Sequence, residues 1–141
     1  MRIKLPEPKS YCFSTTLKVR VSDLNYADHL SNDKLLTYAH QARVELFASW
    51  GQSELNFGGM GIIMTDAAVI FKAEGHLNDE LIIWVGVDDI SRLGFDLYYR
   101  VVNQQTGQEI ALMKTGIVCF DYSSKKVVPI PALVVDILQK L

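Results

Sequence analysis

A junction between a strand and a helix decides the fold, and it lies in the stretch Val19-Arg-Val-Ser-Asp-Leu-Asn-Tyr-Ala-Asp-His-Leu-Ser-Asn-Asp-Lys-Leu-Leu36. An apolar, β-branched run stops at a polar cluster, and a helical pattern starts at once. The polar side chains that crowd the helix entrance are Asp23, Asn25, Asp28, His29 and Asn32. A helix N-terminus presents unpaired N–H groups with a partial positive charge, so it can hold a carbonyl oxygen or a developing oxyanion. The junction therefore indicates a site for acyl chemistry.

The composition is that of one soluble globular domain, residues 1–141. The chain is 49% hydrophobic and 21% charged, which is ordinary for a domain that buries a sizeable core. A net charge of −2 without a basic run argues against a nucleic-acid partner, because phosphate binding needs clustered Lys and Arg. No apolar run approaches the roughly 20 residues that span a bilayer. Two distant cysteines, Cys12 and Cys119, favour a reduced, cytoplasmic protein.

Periodicity predicts the secondary structure. A helix is expected over Ser31 to Trp50, with Ser31 or Asn32 as its cap and Gly51 as its stop. A short apolar helix, Pro131 to Leu141, closes the chain. The predicted strands are Phe13 to Val21, Ile62 to Ala73, Leu81 to Ile90, Phe95 to Asn103 and Glu109 to Phe120.

This order of elements predicts an α+β arrangement. One nearly buried helix follows the first strand, and an antiparallel meander follows the helix. The strands are long enough for the sheet to curve around that helix. A single curved sheet leaves open edges, and edge pairing with a second copy would protect them. We therefore expect a homodimer or a dimer of dimers.

The junction resembles that of a known family. Strand–Asp-Leu-Asn-x-x-x-His-Leu-x-Asn–helix, followed by Ala42-Arg43 past the helix middle, is similar to the hotdog-fold thioesterases of the 4-hydroxybenzoyl-CoA thioesterase type. The resemblance covers most of the chain. It implies a long central helix wrapped by a curved antiparallel sheet, and sites at a subunit interface. It also implies hydrolysis of an acyl-CoA or acyl-carrier-protein thioester.

The family's usual pattern is approximately Asp-x-Asp-x-x-x-His-Val-Asn-Asn at this junction. Its first Asp corresponds to Asp23 and its His to His29, while the Asn at the helix entrance corresponds to Asn32. Its second Asp, the catalytic carboxylate in several members, falls on Asn25. An amide cannot take a proton from water as a carboxylate can. Asn25 is therefore expected to bond the carbonyl oxygen or to orient a water, and a base must come from elsewhere.

The candidates for that base are Asp66 first and then His29, with the helix residue Glu45 as a further option. His29 carries an imidazole, which exchanges protons near neutral pH. Asp66 interrupts an otherwise apolar strand, where an ionised carboxylate requires a partner or a function. We expect Asp66 to approach the helix entrance of a second copy. The alternative for Asp66 is a structural ion pair or a position at a curved edge.

Other residues are expected to bind substrate. Tyr26, Asn32 and Asp33 belong to the junction, where helix capping is the simpler alternative for Asn32 and Asp33. Arg92 lies at a strand turn, where it either contacts a CoA phosphate or is a surface residue. The three histidines lack metal-ligand spacing with acidic or thiol partners. We therefore predict no metal, and we predict no cofactor.

Three functions fit these residues. The first is an acyl-thioester hydrolase in which Asn25, His29 and Asp66 act on the thioester. The second is a non-catalytic hotdog protein that binds an acyl thioester or a small acid, which the replacement of the second Asp by Asn25 favours. The third is a hydratase or dehydratase, which would require a clearer pair of His and carboxylate than the motif shows.

Overall fold

Six strands and two α-helices make up the computed structural model, which describes residues 1–141. The strands are β1 (Phe13–Lys18), β2 (Gly61–Phe71), β3 (Glu80–Asp88), β4 (Gly94–Asn103), β5 (Glu109–Asp121) and β6 (Lys126–Val127). The helices are α1 (Lys34–Ser49) and α2 (Ala132–Gln139), and a short 3₁₀ turn occupies Val21–Asp23. The predicted α+β class is confirmed.

The strands form one antiparallel sheet in the order β1-β3-β4-β5-β2, with β6 paired to the end of β5. Strands β3, β4 and β5 form a meander as predicted, but β2, which the predicted meander also included, pairs with β5 and forms one edge of the sheet, while β1 forms the other. Along β3, Leu81, Ile83 and Val85 are fully buried at alternate positions, as expected for a sheet with one covered face. The edge position of β2 leaves one side of an eleven-residue strand without a partner.

Helix α1 lies against the covered face of the sheet. The apolar residues Leu35, Ala39, Ala42, Leu46 and Trp50, spaced by three and four, predict one buried face for this helix, and the first four belong to the core. Trp50 is only half-buried. Tyr38, Arg43 and Phe47 extend the buried face. Neither helix is sufficiently long and apolar to cross a membrane.

Several predicted boundaries are wrong for local reasons. Strand β1 ends at Lys18 and not at Val21, because the backbone N–H of Arg20 donates to the Asp23 carboxylate and the chain turns there. Helix α1 begins at Lys34, and neither Ser31 nor Asn32 caps it. The Ser31 hydroxyl instead donates to the Asp33 carboxylate. Asp33 occupies the N-cap position, but its side chain makes no capping hydrogen bond to the helix.

The other ends differ by a few residues. Gly51 has a φ of 72°, a left-handed conformation that suits glycine, and α1 stops just before it as expected. Helix α2 is shorter than predicted at both ends. The two-residue strand β6 was not predicted, because two residues carry no periodic signal.

Candidate active site

The loop before α1 is shaped by its own polar groups. Asn25 Oδ1 accepts a hydrogen bond from the Ala27 N–H at 2.9 Å, and the Asn25 N–H donates to the His29 carbonyl at 3.0 Å. Asp28 adopts a φ of 63°, in the left-handed region that Asp tolerates better than most residues. This tight loop turns His29 towards the connection between β2 and β3, while Tyr26 is fully exposed.

A buried carboxylate holds this loop on α1. Asp23 is 3% exposed, and its Oδ2 accepts from the Tyr38 hydroxyl at 2.7 Å and from the Arg20 N–H at 3.0 Å. The Asp23 carbonyl accepts from the Ser31 N–H at 2.9 Å. On the other side, the Leu30 N–H donates to the Gly75 carbonyl at 2.7 Å. The loop is therefore fixed between the helix and the sheet, which is what a preorganised site requires.

An open groove of about 740 Å³ runs along this loop. One wall is the junction, and the opposite wall is the end of β2 with the residues that follow it. Leu35 and Ile110 supply apolar surface between the walls. The polar residues of the lining are Asn25, Tyr26, His29, Ser31, Asn32, Lys72 and Glu74. An apolar cleft with a few convergent polar groups is the usual form of a ligand site.

The helix entrance offers fewer free donors than its sequence indicates. The Ser31 N–H is already bonded to Asp23, and the Lys34 N–H donates to the Ser31 carbonyl at 3.1 Å. The Asn32 N–H has no protein acceptor, while the Asp33 N–H faces the carboxylate of the same residue. Of these two residues, only Asn32 lines the groove. The Asn32 N–H is therefore the donor best placed to meet a carbonyl oxygen.

Glu74 is a groove residue that the sequence did not reveal. Its Oε1 lies 3.8 Å from Nε2 of His29, and its Oε2 lies 3.5 Å from Nε2 of His76. The pairing of His29 with His76 across the loop brings these groups together. No spacing in the sequence marks Glu74, because it follows the edge strand and meets His29 only through tertiary structure. The groove thus contains a His and a carboxylate on facing walls.

Asp66 does not line this groove. Its side chain is 62% exposed, and Lys114 Nζ donates to its two carboxylate oxygens at 2.7 and 2.9 Å. The hydrogen bond from Lys114 lowers the pKa of the Asp66 carboxyl below its usual value. The strand carries a bulge between Met64 and Asp66, which lets this polar side chain reach Lys114 on β5. Asp66 therefore forms the structural ion pair that was the alternative to a role in the site.

The remaining predicted residues are dispersed. The Asp33 side chain is occupied by Ser31 and does not line the groove. Arg92 lines a different cavity, of about 290 Å³, beside α2 and the β3–β4 turn. Burial raises the pKa of the Cys119 thiol to about 11, so this residue is protonated near neutral pH. The structure therefore brings together Asn25, Tyr26, His29 and Asn32, but places Arg92 elsewhere.

The hydrogen bond between the Asp23 carboxylate and Tyr38 of α1 predicts that the free energy of unfolding depends on pH. Burial alone would raise the pKa of the Asp23 carboxyl, but the hydrogen bonds from Tyr38 and the Arg20 N–H lower it below the usual 3.8. This stabilisation is therefore complete above the unfolded-state pKa and is lost as the pH falls through the lower folded-state pKa. We expect Asp23→Asn to reduce the free energy of unfolding at about pH 6, and to reduce it less at about pH 3. Urea unfolding at both pH values measures this, and an equal reduction at both would contradict it.

Comparison with known proteins agrees with this architecture. Residues 19–139 match the family model of the thioesterase-like superfamily, and the chain belongs to this family, whose fold is the hotdog. A 1,4-dihydroxy-2-naphthoyl-CoA thioesterase from Synechocystis is 22% identical, with a TM-score of 0.84 over 92% of this chain and 96% of that one. No curated protein sequence matches the chain.

Two further solved structures have the same fold. A protein from Bacillus stearothermophilus, described as a predicted thioesterase, is 19% identical with a TM-score of 0.81, over 91% of this chain and 94% of that one. A gentisyl-coenzyme A thioesterase is 21% identical with a TM-score of 0.77, over 86% of this chain and 98% of that one. At such identities the likeness establishes the fold. Family membership supports thioester hydrolysis as the general class of reaction.

Proposed function

We propose that the groove hydrolyses an acyl-CoA or acyl-carrier-protein thioester to the free acid and thiol. The observation that carries this proposal is that Asn32, whose N–H has no protein acceptor, and His29 line the same groove of about 740 Å³. These two groups supply what the reaction needs, a donor for the carbonyl oxygen and a base for water. Two structural relatives are named as thioesterases of aromatic acyl-CoA substrates, which supports an acyl-CoA and the 4-hydroxybenzoyl-CoA type.

The proposed mechanism uses water as the nucleophile. The Asn32 N–H holds the thioester oxygen. The Asn25 amide group, whose oxygen is engaged by Ala27, still has its NH₂ donors for the same oxygen. His29 takes a proton from water as the new C–O bond forms. The tetrahedral intermediate then expels the thiolate, and His29 returns the proton to its sulfur. Glu74 would stabilise the imidazolium from the facing wall.

Asp66 remains the alternative base. It would act on the groove of a second copy, because its own groove does not contain it. To do so it would have to leave Lys114 or share its charge with that residue. We therefore place His29 first and Asp66 second in this role.

We further propose that the protein is at least a homodimer, with α1 as the central helix of each subunit. The support is β2, an edge strand whose segment Met64 to Ala67 is exposed on both faces of the sheet. Met64, at 48% exposure, is an apolar residue on this open edge. Edge strands of this length and composition pair readily with another strand. Pairing of β2 with β2 of a second copy would cover this exposed segment.

The dimer proposal predicts an effect of a charge on β2. Ala67→Lys is expected to convert the dimer to a monomer, because lysine on an edge strand opposes strand pairing. Thr16→Lys on β1, the opposite edge, is the matched control and is expected to leave the dimer intact. Sedimentation velocity measures both. A monomeric wild type, or dissociation by Thr16→Lys alone, would contradict the proposal.

The second candidate function is binding without hydrolysis. The observation that favours it is the local use of Asn25, whose Oδ1 accepts from Ala27 at the position where the family usually has a catalytic carboxylate. Saturable binding of an acyl-CoA to the wild-type protein, measured by calorimetry, with no release of free CoA would establish this function. Release of CoA by the wild-type protein and its loss in a His29 variant would establish the first.

A further inference from the structure

The cavity that contains Arg92 lies between α2 and the turn that joins β3 to β4. Its volume is about 290 Å³, and it shares no lining residue with the groove that contains His29. The Ile130 N–H donates to the Arg92 carbonyl at 2.9 Å, which holds the chain before α2 against this turn. None of the residues of the proposed hydrolytic mechanism lines this cavity. It therefore requires an explanation of its own.

The walls of the Arg92 cavity are mainly apolar. Ile90 belongs to the turn, Ile130 precedes α2, and Val135 and Leu138 belong to α2. Ile90 is 53% exposed, whereas Ile130 and Leu138 belong to the core. The apolar surface thus continues from an exposed residue to buried ones. A hydrocarbon group held against it would leave water, which is favourable in proportion to the apolar area that is buried.

A single cation accompanies these apolar walls. Arg92 is the only charged residue that lines the cavity. Its guanidinium forms no ion pair and no hydrogen bond with another residue, because Asp136, the acidic residue of α2, pairs with Lys140 at 3.0 Å. Arg43 and Arg100, by contrast, each pair with a glutamate. An unpaired guanidinium offers a planar fork of N–H donors that matches the two oxygens of a carboxylate.

The apolar walls and the cation together define the chemistry of a ligand. A cationic ligand would be repelled by Arg92, and a bare phosphate would leave the apolar walls in contact with water. A neutral hydrocarbon would cover the walls but leave the guanidinium without an acceptor. A carboxylate with an apolar body satisfies both features. The volume of about 290 Å³ restricts it to a small molecule.

We infer that the Arg92 cavity binds a monocarboxylate with an apolar body, such as a medium-chain fatty acid. The carboxylate pairs with Arg92, and the hydrocarbon packs between Ile90 and the α2 residues Val135 and Leu138. The inference does not rest on the proposed hydrolysis, because the two sites have no residue in common. It gives Arg92 a ligand other than the CoA phosphate that the sequence suggests.

The test measures the binding of octanoate to the full chain by calorimetry. The wild-type chain is expected to show one saturable site, and hexanoate is expected to bind about tenfold more weakly because it lacks two methylene groups. Arg92→Gln keeps a long polar side chain but removes the charge, and it is expected to raise the Kd for octanoate about tenfold. Lys72→Gln removes a cation from the His29 groove in the same way. It is the matched control and should leave the Kd unchanged.

A second variant tests the apolar part of the Arg92 cavity. Val135→Phe fills space beside α2 without changing any charge, and it is expected to weaken octanoate more than hexanoate because the longer chain needs more of the cavity. Thermal unfolding of each variant confirms that it is folded.

Three results would overturn the inference. The first is the absence of saturable octanoate binding, or an equal Kd in the wild type and in Arg92→Gln. The second is loss of binding in Lys72→Gln alone, which would place the carboxylate in the His29 groove. The third is displacement of bound octanoate by free CoA, which would assign Arg92 to the thioester site. None of these measurements follows the release of CoA, so each leaves the proposed hydrolysis to its own test.

Discussion

His29→Ala is expected to lower kcat/KM for acyl-CoA hydrolysis by about 10²–10⁴-fold, the usual contribution of a positioned general base. The imidazole lines the groove beside the free Asn32 N–H, and no other imidazole lines that groove. Its backbone is held by hydrogen bonds to Asn25 and, through Leu30, to Gly75. Truncation of the side chain therefore removes the base while the loop keeps its position. Release of free CoA, followed with a thiol reagent, measures the effect.

The matched control for this variant is His76→Ala. His76 approaches the same Glu74 but does not line the groove, so its loss should change kcat/KM little. Glu74→Gln is expected to reduce kcat/KM less than His29→Ala does, because it removes a charge that assists the imidazolium without removing the base. Full activity in His29→Ala would assign the base elsewhere, and Asp66→Asn would then be the informative variant.

The second large effect concerns stability. Phe47→Ala is expected to lower the free energy of unfolding by about 3–5 kcal/mol, the range for aromatic truncation in a core. Phe47 is fully buried, and its ring centroid lies 4.7 Å from that of Phe57 and 5.6 Å from that of Trp50. These contacts join the end of α1 to the loop that carries Glu54.

Leu133→Ala is the control for this stability effect. Leu133 is an apolar residue at an exposed position of α2, so its truncation removes methyl groups without opening a core cavity. Urea unfolding of both variants gives the comparison, with the free energy extrapolated to water. Equal losses in Phe47→Ala and Leu133→Ala would show that the aromatic cluster does not stabilise the core as described.

Much of the fold could be predicted from the sequence, because the spacing of apolar residues shows which face of a helix or strand is buried. The alternation along β3 and the helical spacing of Leu35, Ala39, Ala42 and Leu46 each follow from one covered face. The ends of elements were harder to predict. The Asp23 carboxylate ends β1 early by accepting from Arg20, and such a side-chain hydrogen bond leaves no periodic trace. Helix α1 starts later than predicted for a similar reason, because the Ser31 hydroxyl bonds to Asp33 rather than to the N–H groups of the helix.

The site was predictable only where its residues are close in sequence. Asn25, His29 and Asn32 stand within one loop, and the structure brings all three to one groove. Glu74 joins them from the far end of β2, and no local pattern marks it. His40, Arg43 and Glu54 show the same limit, because the chain must turn back after α1 before Glu54 reaches the other two residues.

The most direct test of the central claim is release of free CoA from a panel of aromatic, short-chain and long-chain acyl-CoAs by the wild-type chain. The account predicts turnover of at least one of these thioesters, with loss of that turnover in His29→Ala and its retention in His76→Ala. Saturable binding of the acyl-CoAs without release of CoA from any of them would contradict the claim, and the binding function would take its place.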